Sequence, residues 1–61
     1  MAMLEDVADN LAKRTLELIS KTGDEALEAR VADAIGASSP TLQEAYSTAM
    51  RIRKAEIRGI V

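Results

Sequence analysis

The chain has no cysteine, no histidine, no tryptophan and no phenylalanine. Without cysteine no disulfide staples it, and without cysteine or histidine the usual zinc ligands are missing. Lack of cysteine is compatible with a reducing compartment. Lack of histidine removes the commonest general base near neutral pH. Ser20 beside Lys21, and Ser38 beside Ser39, therefore read as helix-end residues rather than nucleophiles. No glycine-rich phosphate loop occurs. No run approaches the roughly 18 apolar residues of a membrane span. The stretch Met1–Asp9 carries Glu5, Asp6 and Asp9 but no base, unlike a secretory or transit leader. These absences predict a cytoplasmic, non-enzymatic protein with no cofactor, no metal and no evident small-molecule ligand. Carboxylates do share helix faces, Glu5 with Asp9 and Asp24 with Glu28. A hard cation needs oxygens converging from several directions, which two acids on one exposed helix do not supply.

Aromatic side chains are almost missing as well, Tyr46 being the only one. The core must come from Leu, Ile, Val, Met and many alanines, and alanine buries little area at roughly 25 cal/mol per Å². The 61 residues allow one domain, 1–61, at most. A domain of this size hides only about 60% of the surface its unfolded chain exposes. Small scaffolds ordinarily carry a staple. With disulfide and zinc excluded, the remaining staple is self-association or a partner protein.

What is present is helical periodicity. Leu4, Val7, Ala8, Leu11, Ala12, Leu18 and Ile19 recur at steps of three and four, with Thr15 on the same stripe and Leu16 beside it. The spacing predicts a helix over about 3–21, with Asp9/Lys13 and Glu17/Lys21 as supporting pairs on its wet face. Gly23 is the expected stop. Thr22 with Glu25 fits a capping box, and Asp24 is a rival N-cap. A second helix is expected over about 24–35, burying Leu27, Val31, Ala34 and Ile35 with Ala32 at the closest approach, and ended by Gly36. Ser39 then reads as an N-cap and Pro40 as the first residue of a third helix over about 40–58. Leu42, Ala45, Ala49 and Ile52 form its stripe, which Tyr46, Met50 and Ile57 widen; Gly59 is the expected stop. Nothing alternates with period two, so the predicted fold class is all-α, a three-helix domain.

The stretch VADAIGASSPTLQEAY, residues 31–46, resembles the helix-turn-helix superfamily. Ala32 fills the place of the small residue where the two helices cross. Gly36 sits four residues on, where the pattern opens its turn with a glycine. Leu42 follows six beyond, Ala45 three beyond that, and Val31 and Ile35 supply apolar flanks. The resemblance covers about 20 residues and implies a dimeric DNA-binding regulator with the third helix as reading head. It would turn Ser38, Ser39, Thr41, Gln43 and Glu44 toward the major groove, with Gln43 suited to adenine and Glu44 to cytosine. Arg51, Arg53, Lys54 and Arg58 would grip phosphates.

Charge argues the other way. The net charge is -2, and no Lys or Arg lies in the would-be reading surface before Arg51. Residues 1–33 hold eight acids and four bases; residues 34–61 hold two acids and four bases. Such a gradient also complements helix dipoles. The apolar excess points to protein contacts: Met1, Met3, Leu16, Met50, Ile57, Ile60 and Val61 are more than three short helices hide. The leading expectation is a small helical interaction module, a homodimer or the binder of a partner protein. Its candidate interface residues are Leu16, Met50, Ile57, Ile60 and Val61. The helix-turn-helix regulator is the alternative, with nucleic acid as partner.

Overall fold

A computed structural model describes residues 3–57 and Gly59. It contains three helices: α1, Met3–Thr22; α2, Leu27–Ser38; and α3, Pro40–Ile57. The all-α, three-helix reading holds, and two of the internal boundaries move.

α1 ends where expected. Gly23 adopts φ +73° and its N–H donates to the Ile19 carbonyl at 2.7 Å. Thr22 Oγ1 donates back to the Leu18 carbonyl at 2.8 Å. α2 starts three residues later than the expected start at Asp24, because Asp24 closes a turn of its own. Its carboxylate Oδ1 accepts from the Ala26 N–H at 3.0 Å, and its carbonyl accepts from the Leu27 N–H at 3.2 Å. This side-chain turn competes with helix initiation. Thr22 Oγ1 accepts the Asp24 N–H at 3.2 Å, and Ala26 opens α2 with no side-chain cap.

α2 also runs past its expected stop. Gly36 is helical, so it does not open the turn that the helix-turn-helix pattern assigns to it. Its value is space. A Cβ placed there would lie 2.5–2.9 Å from the Gln43 amide group. The link to α3 shrinks to Ser39, in extended conformation at φ −149°. Ser39 serves both helices: its N–H donates to the Ile35 carbonyl at 2.8 Å, and its Oγ accepts the Leu42 N–H at 3.1 Å. Pro40 at the first helical position completes the predicted start. α3 is described to Ile57, and Gly59 takes φ +72° with its N–H on the Glu56 carbonyl.

α3 is the centre of the fold: α1 packs chiefly on it, and α2 packs on it more than on α1. Among the described residues, the buried apolar ones are Ala8 and Ala12 of α1 with Tyr46 and Met50 of α3, and the buried polar one is Thr15. Small side chains on α1 let the helices approach, and the two large ones on α3 fill the space between. Leu11, Leu16, Ile19, Val31, Ala32, Ile35, Leu42, Ala45 and Ala49 close around them.

This core is turned relative to the expected stripes. Tyr46 and Met50, expected at the edge of α3, sit at 0% exposure, and Ile52, expected inside, is 56% exposed. On α1 the contact line follows Ala8, Ala12 and Thr15. That leaves Leu4, Val7 and Leu18, expected inside, on the surface. Ala34 of α2 is exposed too. The rotation has a polar cause as well as a steric one. The Tyr46 hydroxyl donates to Thr15 Oγ1 at 3.0 Å, and Thr15 donates on to the Leu11 carbonyl at 2.8 Å. A buried phenol needs such a partner, and Thr15 supplies it only with Tyr46 facing α1. Two ion pairs hold the same setting, Asp9–Arg53 between α1 and α3 and Glu28–Lys54 between α2 and α3.

The Cα framework measures 28 × 25 × 13 Å. Packed helices lie 8–10 Å apart, so the short dimension fits one helix laid on another and nothing more. Every helix therefore keeps an outer face.

Candidate interaction surfaces

The candidate contact residues fall into three environments. Met50 is in the core at 0% exposure and is withdrawn from the candidate interface. Ile57 is 72% exposed. Leu16 is half-buried and lines a shallow groove of about 220 Å³ with Ile19, Glu25, Lys54 and Ile57. Ile60 and Val61 lie outside the described residues, as does Arg58.

The basic end of α3 is engaged within the fold. Arg53 clasps Asp9 with two parallel bonds, Nε to Oδ1 and Nη2 to Oδ2, each 2.7 Å. That bidentate contact holds the Asp9 carboxyl below its ordinary value and raises the Arg53 guanidinium further above its own. Lys54 Nζ donates to Glu28 Oε1. Arg51 is exposed. Two of the cations assigned to phosphate are thus paired with carboxylates, and each would have to exchange an existing partner for a phosphate.

The corner itself is similarly occupied. Gln43 Nε2 donates to the Ala32 carbonyl at 2.9 Å, with the amide lying over Gly36. The side chain proposed to read adenine is turned into the α2–α3 contact, a correction to the groove-facing assignment. Helix geometry explains it: the missing Gly36 side chain leaves a niche, and the amide fills it. Ser39 is a cap, half-buried, with its hydroxyl on the Leu42 N–H. Ser38, Thr41 and Glu44 are exposed.

Tyr46, the only aromatic, is held neutral. Burial pushes its hydroxyl above the ordinary value of 10.0, against the smaller lowering effect of the Thr15 hydrogen bond. It packs and orients; it does not face solvent.

Much of the surface is apolar, and Leu4, Val7, Leu18 and Ile52 on it were expected inside. Met3 at 68%, Leu4 at 42%, Val7 at 43% and Leu18 at 51% exposure lie along α1, with Ile52 and Ile57 on α3. A second groove, of about 330 Å³, runs between α1 and α3 and is lined by Glu5, Asp9, Ala45, Thr48, Ala49 and Ile52. The signal that separates core from surface on α1 is size. The alanines and Thr15 share one line and the leucines flank it, although both satisfy the same three- and four-residue steps.

Comparison with protein-family models, with curated proteins and with solved structures found no match to this chain. The surface chemistry therefore carries the functional reading. No described helix is long and apolar enough to cross a membrane.

Proposed function

We propose that the chain is a small non-enzymatic interaction module that associates with itself through apolar helix faces. One observation carries this reading. Among the described residues, the interior fully encloses two large side chains, Tyr46 and Met50, and six large apolar residues stand exposed. Each of those side chains stabilises by roughly 25 cal/mol per Å² of apolar surface once it is covered. Covering it in a second molecule supplies the missing core.

The DNA-binding alternative draws less support. Gln43, Arg53 and Lys54 are engaged inside the fold, and the chain is net acidic. Phosphate neutralisation provides most non-specific affinity for nucleic acid.

Sedimentation equilibrium from low to high micromolar chain tests the proposal. A reversible monomer–dimer equilibrium is expected, and a folded monomer throughout that range overturns it. In parallel, duplex DNA at low salt is expected to leave the sedimentation of the protein unchanged. A complex that dissociates steeply as salt rises would shift the assignment to the regulator.

A further inference from the structure

Two helices of this chain end on a left-handed glycine, and the two endings are not alike. Gly23 has φ +73°, and its N–H donates to the Ile19 carbonyl, four residues back. That single bond is the simple left-handed ending, which stops a helix without returning the chain to it. Gly59 has φ +72°, but its N–H donates to the Glu56 carbonyl, three residues back, at 3.0 Å. That is the inner bond of the Schellman ending. In it the chain doubles back, and the residue after the glycine sets an apolar side chain against the helix five or six positions upstream. The residue after Gly59 is Ile60, outside the described residues, and the positions upstream are Ala55 and Lys54.

Lys54 is a wall of the shallow groove of about 220 Å³ at this end of the molecule. Leu16 and Ile19 of α1 and Ile57 of α3 supply its apolar surface, and Glu25 stands at its rim. The Lys54 ammonium is already bonded to Glu28, so the lysine offers the groove its aliphatic stem. The volume falls below the roughly 300 Å³ at which small-molecule pockets begin. It suits a branched aliphatic side chain.

We infer that Ile60 folds back over the end of α3 and fills this groove, clasping Leu16 and Ile19 to Lys54 and Ile57. The position of the chain selects this occupant. Ile60 follows directly on a described glycine whose bond turns the backbone toward the groove. A side chain tethered so closely competes at an effective concentration on the order of millimolar, with almost no loop to close. The clasp stands apart from the self-association reading. It takes Leu16, Ile57 and Ile60 out of the surface open to a second copy and leaves that role to Met3, Leu4, Val7, Leu18 and Ile52.

Three measurements on the full chain test the clasp. In methyl-labelled protein, the Ile60 δ1 methyl is expected to give NOE cross-peaks to Leu16 and Ile57 methyls. Cross-peaks to Ala55 alone, or peaks that an isotope-filtered mixture shows to run between copies, overturn it. In urea, Ile60→Ala is expected to raise the unfolding equilibrium constant about tenfold. The same change in a Gly59→Val background is expected to alter it less than about twofold. Valine resists positive φ and has open space for its Cβ, so it acts through the turn alone. Equal losses in both backgrounds sever the contact from the turn and overturn the inference. By sedimentation equilibrium, Ile60→Ala is expected to leave any self-association within about threefold. A tenfold weakening puts Ile60 between copies and overturns the clasp. A monomeric chain that keeps the cross-peaks upholds the clasp and overturns self-association.

Discussion

Tyr46 takes part in both the apolar packing and the polar contacts of the core. Its ring fills the gap above Ala8 and Ala12, and its hydroxyl enters the chain of bonds to Thr15 and the Leu11 carbonyl. Tyr46→Phe keeps the ring and removes the bond, so a loss of about 1 kcal/mol is expected by urea unfolding. The loss should vanish in a Thr15→Val background, where no oxygen is left waiting. A rise in pH gives a second readout. The folded value of Tyr46 lies above the unfolded 10.0, so its protonated form contributes stability that is complete below pH 10 and lost as pH rises through the folded value. Tyr46→Phe should flatten that alkaline decline. Gly36 makes a different point. Alanine in a helix interior gains about 1 kcal/mol over glycine, but here its methyl would evict the Gln43 amide from the Ala32 carbonyl. The two effects nearly cancel, and Gly36→Ala is expected to change stability by less than about 1 kcal/mol. In a Gln43→Ala background the eviction costs nothing, and the same substitution should stabilise by about 1 kcal/mol. Denaturant midpoints of the four chains in that cycle check it.

At the level of elements, capping chemistry was the most legible part of the sequence and helix rotation the least. Gly23, Ser39 and Pro40 do what their residue types require, because each acts on its own backbone within a few bonds. The two boundaries that moved, at Asp24 and Gly36, are places where a side chain had competing local options: an Asp closing its own turn, a Gly giving space rather than curvature. Rotation depends on partners distant in sequence. Leu42, Ala45, Ala49 and Ile52 form as regular a stripe as the one centred on Tyr46 and Met50. The Thr15 hydroxyl and the Asp9 carboxylate of α1, with Glu28 of α2, favour the second through their partners on α3. The candidate site suffered accordingly. Met50 looked like surplus because the buried α1 residues of its cluster, Ala8 and Ala12, lie more than thirty residues away, and Leu4, Val7 and Leu18 looked like core because they share α1's period with Ala8 and Ala12. The Asp9–Arg53 pair that helps set this rotation has a pH signature. The Asp9 value is lowered from 3.8 in the fold, so its contribution is present above pH 3.8 and is lost as pH falls through the lower folded value. Asp9→Asn is therefore expected to lower the melting temperature at pH 6 and to make the chain less sensitive to acid between pH 4 and pH 2. A parallel pair of melting curves for the two chains would show the pair to be idle.

For the whole molecule the decisive quantity is the ratio of enclosed to exposed apolar surface. A framework 13 Å thick cannot wrap α1, whose exposed Leu4, Val7 and Leu18 and buried Ala8, Ala12 and Thr15 occupy neighbouring sides of the same cylinder. Lengthening the chain would solve this, and so does doubling it. In a dimer the unfolding equilibrium contains the chain concentration, which makes the melting temperature itself an assay. A tenfold rise in concentration stabilises the folded dimer by about 1.4 kcal/mol. Two chains of 61 residues share that gain. With about 2.1 cal/mol/K of unfolding entropy per residue, the midpoint should climb about 5 °C per decade. Circular dichroism melts over a hundredfold range should then spread by about 10 °C. Leu18→Glu should narrow the spread if the exposed apolar face of α1 is part of the contact. Melts that superimpose across the range would mean that these helices stand alone with their leucines in water.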